Sequence, residues 1–437
     1  MYLPPYVQNC INALEDAGFA AYAVGGCVRD ALLGLTPQDY DLCTAALPEQ
    51  TEAVFADHRL VLAGKKHGTV GVITEGGVVE ITTFRTEGTY LDNRHPEWVE
   101  FVEDITGDLA RRDFTVNAMA WSPTRGFADP FGGREDLQNR ILRAVGDPEA
   151  RFREDSLRIL RGARFAAKYR LTPDPATEAA MFALTELMGN LARERVFDEL
   201  CKLLLHCDAA QLLYFAPVVT AVIPELSPCV GFDQHNPHHI YDIFEHTARV
   251  VEGVPSILSL RWAALLHDVG KPACFTREEN GRGHFYGHPK VSAEMADCIL
   301  RRLKAPTALR EDVVFLCDRH MVTLEPDEKS LLRRLNQHGE ERLRLLLPLQ
   351  RADLLGTGTR VPEDAAFFDT VEEMLTRLLA QSQCFRIKDL AVNGNDLMAL
   401  GLKGRAIGQT LQHLLEEVME GRLPNEKEAL LSTIHTF

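Results

Sequence analysis

Between Ala23 and Ala45 the chain reads AVGGCVRDALLGLTPQDYDLCTA, and its aspartates Asp39 and Asp41 are spaced for metal chemistry. Side chains two apart on a strand point to the same face, so a strand through DYDLC would set two carboxylates side by side. Such a pair repels itself and is costly to bury without a cation. Mg²⁺ suits it, because that ion takes a few carboxylate oxygens and keeps its other positions for water and phosphate. Upstream, Gly25 and Gly26 let backbone N–H groups approach a ligand closely, and the helix that follows, carrying Arg29, offers its N-terminus to an anion. Together these features predict a metal-dependent triphosphate site. An Asx-type turn or a helix cap explains either half alone, but not GG, VRD and DxD at this spacing.

Further along lie residues able to complete such a site. Glu80, inside the β-branched run VVEITTFR, is either a third metal carboxylate or a side chain on a solvated face. The stretch GDLARRDFTVNAMAW is helical in pattern and gathers Arg111, Arg112, Asp113 and Asn117. Asp113 and Asn117, four apart, share a helical face that can touch a ribose hydroxyl and phosphates, or can be an ion-paired surface. In FREDSLRILRGARF, Asp155 and Arg158 are three apart on a helical pattern. Cytosine and adenine both present an amino donor beside a ring-nitrogen acceptor on the pairing edge. A carboxylate with a guanidinium matches that order, whereas uracil and guanine present the reverse and leave these groups unpaired. The alternative is an ordinary ion pair.

A second constellation is rich in histidine: His246, His267-Asp268, His288, His320 and Asp353. His267-Asp268 ends the apolar helical run RWAALLHDVGKP, stopped by Gly270 and Pro272. A His-Asp doublet at a helix end, with His and Asp supplied by other helices, suits a divalent metal. That metal would lower the pKa of a bound water for attack on a phosphoester. His238 and His284 fit no such role.

The elements that must position these groups follow from the rest of the chain. At 437 residues it exceeds one core and predicts two to four domains. Its 46% hydrophobic and 25% charged residues are ordinary for a globular protein, and ten scattered cysteines without a CxxC pair argue for a reducing compartment over a zinc ribbon or disulfide framework. No signal-like start or membrane-length apolar run stands in the sequence, so a cytoplasmic location is expected. The net charge of −16 weighs against a generally basic nucleic-acid binder. A local basic cluster at Arg143, Arg151, Arg153, Arg158, Arg161, Arg164 and Lys168 is the best RNA-facing stretch. Residues 7–17 predict an amphipathic helix closed by Gly18. Residues 68–73 and 78–84 predict a hairpin across Glu-Gly-Gly, 86–97 a polar loop, and 99–102 a strand. From about 146 onward the pattern is helical. A Pro-, Gly- and Asn-rich stretch at 223–239 marks a boundary, and the tail from Phe385, with an Asn393-Gly394 turn, is helical with no chemistry of its own.

In the order GGCVRD, DYD, RRDFTVNAMA, EDSLR, RERVFDELCKLL the chain resembles the bacterial class II tRNA nucleotidyltransferases, the CCA-adding enzymes of the poly(A) polymerase-like family. The run FEHTARV, LLHDVGKP, GHPKVSAEMA, RADL resembles the HD phosphohydrolase domain fused to many of them. The resemblance implies an α+β chain: a mixed α/β nucleotidyltransferase head (1–140), an all-α neck that binds RNA and base (141–225), an all-α HD domain (226–360) and a helical tail (361–437). It implies addition of CMP and AMP to tRNA from CTP and ATP, with A-only addition, poly(A) synthesis or HD phosphohydrolysis as alternative main activities. By this resemblance Asp39, Asp41 and Glu80 are the catalytic carboxylates for Mg²⁺. Gly25, Gly26 and Arg29 hold triphosphate. Arg111, Arg112, Asp113 and Asn117 meet the ribose. Glu154, Asp155 and Arg158, with Arg161, meet the base. His246, His267, Asp268 and Asp353 bind one HD metal, of transition type or Mg²⁺, and His288 and His320 a second. The loop at Asp92 and Arg94 resembles the element that switches C to A addition. Expected partners are tRNA, ATP and CTP, with no membrane.

Overall fold

A computed structural model of the protein describes residues 1–87, 99–381 and 384–434; the loop holding Asp92 and Arg94 lies outside the described residues. The chain forms two compact units, residues 1–207 with 214–224, and residues 208–213 with 225–437. The units divide at 224/225, and the expected boundaries at 140/141, 225/226 and 360/361 are not themselves unit limits. No helix of the described residues is long and apolar enough to cross a membrane.

The first unit opens with helix Pro5–Asp16, which buries Val7, Ile11 and Leu14 on one face. Nine strands follow: β1 Ala21–Val24, β2 Asp41–Thr44, β3 Arg59–Val61, β4 Thr69–Thr74, β5 Gly77–Thr83, β6 Arg85–Glu87, β7 Val99–Phe101, β8 Ala120–Ser122 and β9 Gly126–Ala128. Seven of them make one mixed sheet in the order β3-β4-β5-β2-β1-β8-β9, while β6 and β7 pair by themselves. β4 and β5 form the expected hairpin, with Thr74 opposite Gly77. Only β2 and β5 run parallel in the large sheet, with Asp41 opposite Glu80. The sheet's core includes Val24, Cys43, Phe84, Leu109, Ala118, Ala120 and Val145.

Two sequence expectations are corrected here. The strand begins at Asp41, so Asp39 precedes it and does not lie on it. β1 and β2 pair antiparallel with Ala23 opposite Leu42. Continuing that register would bring Asp39 opposite Gly26, but the chain has already turned away at Gly25 (φ 75°) into helix Gly26–Leu32, so the ladder has no partner there. The second correction concerns the run through RRDFTVNAMA, which is not one helix. Helix Ile105–Ala110 stops before the arginines, a single 3₁₀ turn spans Thr115–Asn117, and β8 follows. The backbone of 113–115 bonds instead to residues 143–145: Thr115 N–H donates to the Arg143 carbonyl (2.9 Å) and Val145 N–H to the Asp113 carbonyl (3.1 Å). A backbone committed to a strand-like bridge cannot also close helical i→i−4 bonds.

The rest of this unit is mainly helical, with one short parallel pair of strands, Ile141–Leu142 and Thr172–Pro173. Helices Pro148–Glu154 and Pro175–Ala183 begin on Asp147 and Asp174, whose side chains accept backbone N–H groups, as N-cap carboxylates do. Helix Leu157–Tyr169 buries ten of its thirteen residues and packs on helix Arg193–Leu204.

The second unit is built around helix Leu258–Leu266, whose residues from Ser259 to Leu266 are all buried. A short helix apolar on every side belongs at the centre of a bundle. Helices Ile243–Gly253, Thr307–Arg319 and Glu340–Gly356 pack on it, and helix His288–Arg302 packs on Thr307–Arg319. The tail continues as helices Ala366–Ala380, Gly394–Ala399, Arg405–Met419 and Lys427–Ile434. Asn393 caps Gly394–Ala399 by accepting from Asn395 and Asp396, which gives the Asn-Gly turn its structural purpose.

Candidate functional site

In the first unit the sheet register places Asp41 beside Glu80, and Asp39 lies two residues before Asp41. All three are exposed. The protein packed around Asp41 raises its pKa; Arg112 lowers it, while Glu80 and Asp39 raise it again. This mutual repulsion is what a hard cation relieves, so the three carboxylates fit a divalent metal. Their oxygens are not among the ligand groups that already converge within 4.8 Å in the described residues.

The glycine turn is fixed from beside. Gly25 N–H donates to the Met119 carbonyl (3.0 Å), and a Cβ on Gly25 would fall 2.7 Å from Arg112 Nη1. Arg29, expected to face triphosphate, is buried. It donates to Asp30 (2.9 and 2.7 Å), to the Tyr169 hydroxyl (2.5 Å) and to Asn117 Oδ1, and its guanidinium lies 4.1 Å from the centre of the Tyr169 ring. Its part in the site is therefore to tie the glycine helix to Asn117 and to helix Leu157–Tyr169.

Asp113 and Asn117 meet, as their spacing suggests, but through a turn: Asn117 Nδ2 donates to Asp113 Oδ1 at 2.9 Å. Arg161 donates twice to Asp113 Oδ2 (2.9 and 2.6 Å). Burial raises the Asp113 pKa, but the charge of Arg161 and the Asn117 and Arg161 hydrogen bonds outweigh it and hold the carboxyl well below its usual range. Arg111 and Arg112 both lean on Asp108, which the sequence reading passed over.

The base-reading pair is also arranged differently from expectation. Asp155 sits in an extended break (φ −140°, ψ 100°) between helices Pro148–Glu154 and Leu157–Tyr169, so helical i,i+3 geometry does not apply. Its carboxylate accepts from Leu157 N–H (3.1 Å) and from Arg195 (2.9 Å). Arg158 donates to Glu154 (2.7 Å) and to the Arg151 and Arg111 carbonyls (3.1 and 3.0 Å). Break and arginine thus bring the RRD turn and the neck together. The basic cluster read as RNA-facing is largely paired inward: Arg143 with Asp136 and Asp174, Arg151 with Glu154, Arg161 with Asp113, Arg164 with Glu199.

The second unit assembles all six of its predicted residues. His246 Nε2 lies 3.0 Å from Asp353 and 3.4 Å from Asp268; His267 Nε2 lies 3.2 Å from Asp268 and 3.6 Å from Asp353. His288 Nε2 lies 3.2 Å from the other Asp268 oxygen, and His320 Nε2 lies 3.2 Å from His288 Nε2. Asp268 therefore bridges two ligand groups, His246-His267-Asp268 and Asp268-His288-His320. The Nδ1 atoms of His267, His288 and His320 lie 2.7–2.8 Å from the carbonyls of Ala264, Phe285 and Cys317. Those carbonyls fix the tautomer that leaves each Nε2 lone pair facing inward. Burial lowers the His267 pKa, but Asp268 and Asp353 outweigh it and bring it to about 10. So electronegative a centre, with two imidazole Nε2 atoms 3.3 Å apart, fits bound divalent metal. Lys271, which the sequence reading did not single out, reaches Asp268 at 2.7 Å. Gln350 donates to the His320 and Val322 carbonyls (2.9 and 2.6 Å) and so holds that turn. The centre floors a cavity of about 440 Å³ with Tyr286, Met321 and Phe367 among its lining residues.

The glycine turn, the sheet-borne carboxylates and the RRD turn define a polymerase-type nucleotidyltransferase head. The Poly A polymerase head domain matches residues 21–143, the probable RNA and SrmB-binding site of polymerase A matches 170–228, and the putative tRNA nucleotidyltransferase domain 2 matches 288–434. The CCA-adding enzyme of Levilactobacillus brevis is 34% identical over 428 residues, covering 97% of this chain and 96% of that one. That of Streptococcus thermophilus is 33% identical over 443 residues, covering 100% and 98%. The chain belongs to the CCA-adding enzyme family. Among solved structures, the Bacillus stearothermophilus CCA-adding enzyme in complex with CTP superposes with a TM-score of 0.73 at 28% identity, covering 99% of each chain. A Thermotoga maritima CCA-adding enzyme complexed with tRNA shares the fold at 19% identity and a TM-score of 0.61, covering 99% of this chain and 96% of that one.

Proposed function

We propose that this protein adds CMP and AMP to the 3′ end of tRNA, from CTP and ATP with release of pyrophosphate, and so builds or repairs the CCA end. Full-length similarity to enzymes of that name supports the reading, and the observation that carries the chemistry is the pairing of Asp41 with Glu80 on adjacent parallel strands. Asp39 and Asp41, with Glu80, hold Mg²⁺. When bound, that ion neutralises the triphosphate and acidifies the attacking 3′-hydroxyl. The Gly25–Gly26 backbone receives the triphosphate, which leaves the α-phosphorus open to in-line attack. Arg111, Arg112, Asp113 and Asn117 orient the ribose, so that rate comes mainly from positioning and electrostatics. Asp155 and Arg158 read the base. Their pairs with Arg195 and Glu154 hold the two side chains until a cytosine or adenine edge replaces those partners; uracil and guanine offer the reversed pattern and leave them unpaired.

In the second unit, the convergence of four histidines and two aspartates supports a second activity, phosphoester hydrolysis of HD type. Metal bound there supplies an acidified water. His246, His267, Asp268 and Asp353 hold one ion, and Asp268, His288 and His320 hold the other.

Purified enzyme incubated with tRNA ending before C, after C and after CC, with CTP and ATP together and singly, tests the main reading. Addition of both nucleotides in sequence is expected. Growth only of tRNA ending in CC would identify an A-adding enzyme instead.

A further inference from the structure

Asp108 opens the stretch GDLARRDFTVNAMAW without being one of its singled-out residues, yet it is the most deeply buried carboxylate near the head site, with no exposure. One oxygen accepts from Arg111 Nε and Nη2 at 3.0 and 2.8 Å, and the other from Arg112 Nη2 at 3.3 Å. Ordinary i,i+3 and i,i+4 pairs lie on a solvated face and contribute little. Here the carboxylate is sealed beneath the arginines while their side chains keep 19% and 21% exposure. Both guanidiniums are therefore held from behind, with an outer edge toward solvent. Two further facts show where Arg112 points. A Cβ placed on Gly25 would fall 2.7 Å from the arginine's Nη1, and its Nε is buried without a hydrogen-bond partner. Arg111 is tied in from another side, since its carbonyl accepts from Arg158 Nη2 (3.0 Å). One buried carboxylate thus sets the position of two cations, Arg112 beside the glycine turn and Arg111 beside the base-reading arginine.

We infer that Asp108 is a positioning residue for the incoming nucleotide: it holds Arg111 and Arg112 in the orientation in which they meet the ribose and triphosphate beside Gly25. The inference rests on the reading of Arg111 and Arg112 as nucleotide contacts. Asp108 touches no reacting atom, and its loss acts through nucleotide binding because two long side chains regain rotamer freedom that binding must then remove. Losing interactions made equally in ground and transition states raises KM with little change in kcat.

The test uses the full-length enzyme and a tRNA ending in CC or lacking CCA. Asp108→Asn keeps the shape of the side chain and removes its charge. It is expected to raise KM for both CTP and ATP about tenfold, change kcat by less than about threefold, and leave KM for tRNA unaltered. Direct binding of CTP without tRNA, followed by equilibrium dialysis, weakens by the same factor. In a mutant cycle with the combined Arg111→Ala/Arg112→Ala variant, adding Asp108→Asn weakens CTP binding no further, because the carboxylate acts through those two arginines. Wild-type CTP binding by folded Asp108→Asn, or factors that multiply in the cycle, would overturn the inference. If Asp108→Asn does not fold, Asp108→Glu carries the same test. It retains the charge but lengthens the side chain by one methylene, and an unchanged nucleotide KM in it overturns the inference equally. Arg111→Ala and Arg112→Ala measured alone separate the two failures. If neither weakens CTP binding, the nucleotide-contact reading itself falls; if they weaken it and the Asp108 variants do not, only the role of Asp108 falls.

Discussion

The two metal-fitting centres of this chain are built on opposite plans. In the head, Asp41 and Glu80 are exposed on two adjacent central strands of the sheet, with Asp39 exposed just before the first, and among the described residues they form no ligand group within 4.8 Å. In the second unit, His246 and His267 have no exposure, Asp268 has 1% and His320 has 3%, and their ligand atoms already converge within 4.8 Å in two groups that share Asp268. A site that admits a triphosphate and a tRNA end in turn has to stay open, and its hard cation can arrive with the substrate, because Mg²⁺ keeps waters and phosphate oxygens as ligands. A centre walled by helices and tautomer-fixing carbonyls is preorganised and binds its ion as part of the fold. The arginines follow the same division. Around the open site Arg111, Arg112 and Arg161 are held from behind by Asp108 and Asp113 and keep part of their surface exposed.

The largest expected effect distinguishes the plans directly. Asp41→Ala should lower nucleotide addition by on the order of a thousandfold or more, while the purified variant keeps the metal content of wild type and still binds tRNA. Addition within tenfold of wild type would remove Asp41 from the chemistry. Conversely, His267→Ala should emerge from chelator-free purification without the metal that wild type carries, measured by elemental analysis, and should lose any phosphoester hydrolysis. If it keeps a full complement of metal, the closed centre is not the tighter of the two. A smaller effect is expected at the base. Asp155→Ala and Arg158→Ala should each relax discrimination of CTP and ATP against UTP and GTP by roughly ten- to a hundredfold, the worth of one good hydrogen-bonded edge. Equal relaxation by Arg195→Ala would show that the ion pair to Asp155 positions the template. Unchanged selectivity in both template variants would place base reading elsewhere.

What the sequence revealed, and what it hid, follows the range of the interactions. The DxD pair, the glycine turn and His267-Asp268 are local patterns whose chemistry survives any reasonable fold, and the hairpin carrying Glu80 was legible from β-branched runs around Glu-Gly-Gly. The helical reading of RRDFTVNAMA failed because its backbone bonds to residues about thirty positions away, and periodicity cannot register a long-range competitor. The internal partners of Arg29 were hidden because one of them, Tyr169, lies 140 residues downstream. The basic cluster from Arg143 to Lys168 looked like an RNA surface because its acidic partners, Asp113, Asp136 and Glu199 among them, are scattered through the sequence. Asp108 was an omission with a local signal: a carboxylate three and four residues before the arginine pair is the spacing of two helical ion pairs. What the sequence could not supply was its complete burial, which separates an ordinary pair from an anchor.

The mildest prediction concerns acid. Asp108 and Asp113 both have pKa values lowered in the folded head: burial raises each, but Arg111 and Arg112 outweigh it for Asp108, and Arg161 and Asn117 for Asp113. In the unfolded chain they return to about 3.9. A group depressed on folding binds fewer protons in the native state, so stability rises with pH wherever the unfolded chain is still protonated. Their contribution is therefore fully present above about pH 4 and is lost as the pH falls through the folded-state values. The carboxylates of the second unit share in that loss, so the comparison that isolates the head is Asp113→Asn. The difference in urea midpoint between wild type and Asp113→Asn, followed by circular dichroism, should be level between pH 7 and about pH 5 and narrow below about pH 4. The variant cannot titrate at this position, and although less stable throughout, it should show a shallower fall below about pH 4 than wild type. Parallel curves would mean that the Arg161–Asp113 pair does not couple the head to pH, and that the open site's arginines are held by packing more than by charge.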